Sequence, residues 1–176
     1  MPTIFSHPAV VLAVAPWFRR VRPSLIVVAA ICSSLPDADT AAFGYGIPYG
    51  HPLGHRGITH SLLFALLFSL AAAFAYARLT REPFRLAFVI IFIALVSHGL
   101  LDAMTTGGKG VGFFIPFDNR RYFLPFRPIR VSPIGIDFAD KATVVLKSEL
   151  LWVWLPSAAV AGVALVSRAL ARRNSL

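Results

Sequence analysis

Charge and thiols are what this chain has least of. Its one cysteine, Cys32 in 176 residues, leaves no partner for an internal disulfide and no thiolate set for a Cys-type zinc site. Charged residues make up 14% against 57% hydrophobic, and the mean hydropathy is +0.71, a composition that excludes an ordinary soluble domain. Acids are the scarcer sign: eight Asp and Glu against 17 Lys and Arg leave a net charge of +9. The bases fall in turns and one loop rather than on a soluble face, so anionic lipid headgroups are the expected partner and no direct contact with nucleic acid is expected. Nor does the first apolar segment resemble a cleaved leader, because Arg19, Arg20 and Arg22 follow it instead of preceding it.

What the chain does have is apolar runs. A bilayer's hydrocarbon core takes about 20 mostly apolar residues per helix. Ser61–Ala77, Phe84–Met104 and Leu150–Leu170 are read as three spans, and Pro8–Phe18 and Ser24–Leu35 as two short apolar helices. The expected fold is all-α: one domain over 1–176, a small polytopic membrane bundle. The stretch 103–148, rich in Gly, Pro and aromatics, is expected to lie over one end as an irregular lid with short extended pieces.

Antiparallel threading of these segments sorts the polar residues by end. One end collects Arg19, Arg20, Arg22, Arg78, Arg81, Arg85, Arg168, Arg172 and Arg173. The other collects His7, Asp37, Asp39, His55, His60, His98 and Asp102. His98 and Asp102 stand four apart and so share one helix face, a spacing suited to metal ligands, and ionisable groups at membrane depth are costly without a purpose. Asp37 and Asp39 in LPDADT add carboxylates. In HPLGHRGITHS, His55 and His60 are five apart and cannot share a face of one helix. His60 is therefore expected in a first helical turn capped by Thr59, with His55 reaching back from a loop that Gly57 lets turn. His51 lies further out and reads as a solvated loop residue. Arg56 is expected either to hold a substrate anion or to pair with Asp37 or Asp39.

Imidazole with carboxylate and no thiolate suits a divalent metal, zinc first, with manganese and iron the alternatives. Seven candidate ligands exceed the four of one structural zinc, so two ions with an open position are expected. Such a site activates water, with Asp39 or Asp102 to take a proton and Arg56 beside them. In the lid, Arg120 and Arg121 are the candidates for contacting substrate, while most basic residues there, Arg127 and Arg130 included, are expected to reach lipid headgroups.

His7, LPDAD, HRGITHS and HGLLDAMTTGGKG, followed by FFIPFDNRRYFLPFRPIRVSPIG, resemble the YdjM-type family of inner-membrane metal-dependent hydrolases, also described as LexA-binding hydrolases. The resemblance covers His7 to about Asp137 and carries over His7, Asp37, Asp39, His55, His60, His98 and Asp102. It implies an inner-membrane hydrolase and a LexA-like protein partner. A more distant similarity is to zinc-dependent phospholipase C, whose HxxxD helix His98 and Asp102 match. That family's HxxxE helix has no counterpart, since Val145 stands four residues before Glu149 and no histidine follows His98. The expected activity is hydrolysis of a phosphoester or other ester of a lipid-like or small-molecule substrate; a non-catalytic adaptor with a structural metal is the alternative. Nine Lys and Arg at the arginine end against eight at the site end, the nine lying in short turns and a tail, lead us to expect the site to face away from the cytoplasm.

Overall fold

The computed structural model describes residues 1–18, 21–132 and 138–173. Arg19 and Arg20 of the arginine end, and the 133–137 portion of the lid, lie outside the described residues.

The described residues are helical, with no strand among them. Helix α1 (His7–Val14) tightens into a 3-10 turn at Ala15–Trp17, and α2 (Pro23–Ser34) runs on through a 3-10 stretch at Leu35–Tyr45. After a loop come α3 (Leu62–Thr80) and α4 (Phe84–Ala103). Last, α5 (Phe138–Glu149) passes through a π-helical segment, Leu150–Trp154, into α6 (Leu155–Arg173). Four helical stretches are long and apolar enough to cross a membrane: Pro23–Tyr45, Leu62–Thr80, Phe84–Ala103 and Lys141–Arg173. His7–Trp17 is a shorter apolar helix.

Two boundaries differ from the sequence expectation, each for a physical reason. The second helix does not stop at Leu35. Pro36 stands near the start of the 3-10 stretch, where a missing N–H costs little, so the helical path continues to Gly46 in the left-handed conformation (φ 72°). The last helix begins well before Leu150: Lys141, Lys147 and Glu149 lower the hydropathy of α5, so the apolar run alone marks the element's start too late. The described lid residues 104–132 are irregular, pinned by two short extended contacts, Thr105 with Ile129 and Val111 with Tyr122.

Helix α4 is the hub, packed against α1, α2 and α3, while α6 leans on α1 from outside. The interfaces are made by small or branched residues: Leu25, Ala29 and Cys32 of α2, Ala65 and Ala73 of α3, and Ala87, Ile90, Ile91 and Ala94 of α4 are buried. Alanines let apolar backbones approach where lipid supplies no hydrophobic drive for association. At the arginine end, Arg22 Nε meets Glu82 at 2.5 Å and donates from Nη1 to the Thr80 carbonyl. Arg168 reaches the Phe18 carbonyl there, tying α6 to the turn after α1. The opposite end holds the polar cluster.

Candidate metal centre

Each functional side chain reaches that end for a local reason. One turn of α4 separates His98 from Asp102, and both are fully buried against the bundle axis. His7 opens α1 and stacks on His98, ring centroids 3.8 Å apart. The 3-10 path after Pro36 turns Asp37 inward and Asp39 toward the 55–60 loop. That loop is tightly wound: Arg56 adopts a positive φ of 60°, and a Cβ on Gly57 would lie 2.1 Å from the Pro52 carbonyl oxygen, so only glycine fits. Thr59 does not cap the following helix. Ser61 does, accepting the Phe64 N–H at 3.1 Å, because the Thr59 hydroxyl is spent donating to Asp39 Oδ2 at 2.5 Å.

All seven expected ligands converge: six fall into two groups that share His60, and His7 stands beside the first of them. Asp37, His60, His98 and Asp102 form one; Asp39, His55 and His60 form the other, with ligand atoms in each within 4.8 Å of one another. In the first, His60 Nε2 lies 2.9 Å from His98 Nε2, 3.2 Å from Asp102 Oδ2 and 3.8 Å from Asp37 Oδ1. His98 Nε2 is 3.5 Å from Asp37 Oδ1, and His7 Nε2 is 3.6 Å from Asp37 Oδ2. In the second, Asp39 Oδ1 meets His55 Nδ1 at 2.6 Å. Its Oδ2 faces His60 Nδ1 at 3.2 Å and accepts the Arg56 backbone N–H at 3.1 Å.

Hydrogen-bond accounting separates the groups. His98 Nδ1 donates to the Ser33 carbonyl at 2.7 Å, which leaves its Nε2 as a lone pair. His60, held at Nδ1 by Asp39, turns its Nε2 toward that lone pair at 2.9 Å. The space between the two nitrogens therefore takes a cation, a proton on His60 in the metal-free centre or a metal ion in its place. Both ring nitrogens of His7 and both oxygens of Asp37 are buried without a hydrogen-bond partner, and Asp102 Oδ2 has an ion pair to Arg56 Nε at 3.0 Å but no hydrogen bond. Buried polar atoms are rarely left so, and these face one another, as a metal's ligands do. Asp39 is saturated by contrast. Burial pushes the His60 imidazole down, and the nearby carboxylates of Asp102, Asp37 and Asp39 overcome that, holding it up to about 10. The surroundings thus demand positive charge at this point, and a divalent ion would meet the same demand.

Arg56 is fully buried and pairs with neither Asp37 nor Asp39 through its side chain. Its guanidinium grips Asp102, Nη2 to Oδ1 at 3.1 Å and Nε to Oδ2 at 3.0 Å, and donates to Thr105 Oγ1 and the Gly107 carbonyl. Thr105 and the Ser33 carbonyl are contributors that no sequence pattern pointed to. Arg121 donates to the carbonyls of His55, Tyr49 and His51, stitching the lid to the histidine loop. Arg120 is exposed and bonded to Asp118. His51 is exposed, its Nδ1 accepting the Leu53 N–H.

Apolar helices closing over buried imidazoles and carboxylates define a polytopic membrane protein with a site able to hold a metal. The chain belongs to the YdjM inner membrane protein family, whose model matches residues 1–173. It is 38% identical over 166 residues to the inner membrane protein YbcI of Escherichia coli (strain K12), a match covering 92% of this chain and 96% of that one. No solved structure matches. Family and relative agree with the four apolar helices on an inner-membrane, multi-pass protein.

Proposed function

We propose that this protein is a membrane-embedded, metal-dependent hydrolase acting on a phosphoester or other ester of a lipid-like substrate. The observation that carries the reading is the buried His98 lone pair turned toward His60 Nε2 beside the two Asp37 oxygens that make no hydrogen bond. His60, His98, Asp37 and Asp102 would hold the ion, zinc first with manganese or iron as alternatives, and His7 stands ready beside them. Such an ion supplies Lewis acidity toward an ester oxygen and water made acidic near neutral pH.

The remaining residues prepare the site. Asp39 holds His55 and His60 by Nδ1, fixing tautomer and ring orientation as carboxylates behind metal-binding imidazoles do. With Nδ1 so held, His55 keeps Nε2 free to take a proton. Arg56 keeps Asp102 charged and immobile. Because the unpaired atoms lie in or beside the first group and none lies in the second, hydrogen-bonding economy favours one ion there. A second ion at Asp39, His55 and His60 would have to displace bonds already made. The site end faces away from the cytoplasm on this reading, with the arginine end inside.

Elemental analysis of detergent-purified protein is the test, wild type beside His98→Ala and Asp102→Ala, followed by phosphoester and lipid-ester assays with the metal found. One ion per chain in wild type, absent from both variants, and ester cleavage lost with it, supports the reading. Two ions per chain would restore the two-metal arrangement. Bound metal without turnover of any ester, together with capture of LexA, would instead make the protein an adaptor with a structural metal. Folded protein with no metal would sink the hydrolase.

A further inference from the structure

Glu149 is a buried carboxylate that the metal centre does not use. It sits where α5 gives way to the π-helical segment, 1% exposed, and accepts three short hydrogen bonds, all from the N-terminal segment. Thr3 donates from its backbone N–H to Oε1 at 2.6 Å and from its hydroxyl to Oε2 at 2.5 Å; the Ser6 hydroxyl donates to Oε2 at 2.6 Å. Trp154 Nε1 then donates to the same Ser6 oxygen at 3.0 Å. Ser6 is the N-cap of α1, yet its side chain makes no cap bond, because both its donor and its acceptor are committed to the last helix. The next residue is His7.

The π-segment explains how one helix reaches Ser6 twice. Positions five apart point to different sides of an α-helix. Leu155 N–H bonds back to the Leu150 carbonyl, an i→i+5 turn that widens the helix and swings Trp154 round onto the side that Glu149 occupies. Polar contacts do the seating, because Ile4 and Phe5 point away from the bundle, 52% and 70% exposed. Neither nitrogen of the His7 ring makes a hydrogen bond, so apart from the stack on His98 and the Asp37 carboxylate at 3.6 Å its position is set by the backbone that Ser6 anchors.

We propose that Glu149 and Trp154, brought to one side of the last helix by its π-turn, are positioning residues for the metal centre, acting through Ser6 on His7. The proposal rests on the metal reading above and makes His7 a ligand whose reach is set from outside the centre. Carboxylates that orient a metal's ligands change affinity by about 10- to 100-fold when removed.

The test uses the full-length protein in detergent, stripped of metal and titrated with Co2+, whose visible bands report the ligand set. Glu149→Gln and Ser6→Ala are expected to weaken Co2+ binding about tenfold and to move the spectrum toward that of His7→Ala, with the helical circular dichroism unchanged. Trp154→Phe, which removes one neutral hydrogen bond, is expected to cost about threefold. Glu149→Gln with wild-type affinity and spectrum would overturn the proposal, as would a His7→Ala variant that binds Co2+ like wild type. If Glu149→Gln does not fold, Ser6→Ala and Trp154→Phe decide by the same two readouts. A wild-type protein that takes up no Co2+ removes the metal reading itself, a result distinct from any of these.

Discussion

Asp39 and Asp37 stand two residues apart on one 3-10 stretch, the first beside two histidines and the second beside three, and their situations are opposite. Asp39 accepts from His55, Thr59 and the Arg56 backbone. Asp37 has His7, His60 and His98 within 3.6, 3.8 and 3.5 Å, yet neither of its oxygens makes a hydrogen bond. Residue type and burial therefore do not assign a role here. What assigns it is whether the lone pairs are already taken: a saturated carboxylate orients its neighbours, and an unsaturated one among imidazole lone pairs is set to bind a cation.

The largest effect expected from breaking this arrangement falls on Asp102. Asp102→Ala removes a ligand and also leaves the Arg56 guanidinium buried without its carboxylate, a loss of about 3–5 kcal/mol. Chemical denaturation should show that loss in metal-free protein. The comparison itself is sharpened by Asp37→Asn and Asp39→Asn in a metal-affinity titration. Asp37→Asn should abolish tight binding, whereas Asp39→Asn should weaken it by about 10- to 100-fold at unchanged stoichiometry. Stoichiometry halved in Asp39→Asn would mean that its group holds an ion of its own.

A smaller effect concerns protons. His60 is held up to about 10, so at neutral pH the metal-free centre carries a proton that an incoming ion must displace. Affinity should then fall as pH is lowered, by about tenfold per unit between roughly pH 6 and 9. Calorimetry in buffers of different ionisation enthalpy should find close to one proton released, and no buffer dependence would refute the displacement. The smallest contrast lies in the lid. Arg121→Ala, losing bonds to three carbonyls of the 49–55 loop, should lower stability by about 1–3 kcal/mol. Arg120→Ala, on an exposed side chain, should leave the melting temperature and metal affinity where they were.

Much of this was legible in the residues themselves. Helical spacing put His98 and Asp102 on one face, and antiparallel threading brought His7, Asp37, Asp39, His55 and His60 to them, because apolar runs and end-clustered charges survive folding unchanged. Roles within the cluster were not legible. Whether Arg56 pairs with Asp37, Asp39 or Asp102 depends on a positive φ and a loop wound tightly enough to require Gly57, and neither has a spacing signature. Thr59 matched a capping pattern, but a cap and a donor to a distant carboxylate use the same hydroxyl, and tertiary context chose the second. Glu149 read as the start of a span because its partners, Thr3 and Ser6, lie at the far end of the chain.

The two polar rivets on the last helix have a mechanical consequence. Glu149 fastens it at the level of the site, and Arg168 fastens it to the Phe18 carbonyl at the arginine end. The rise between them is about 28 Å at the usual helical pitch, nearly the thickness of a bilayer's hydrocarbon core, about 30 Å. The last helix is thus a ruler clamped at both graduations. Sliding the last helix along the bundle would break both clamps, so a thicker or thinner membrane is met by tilt of the bundle as a whole or by local deformation of the bilayer.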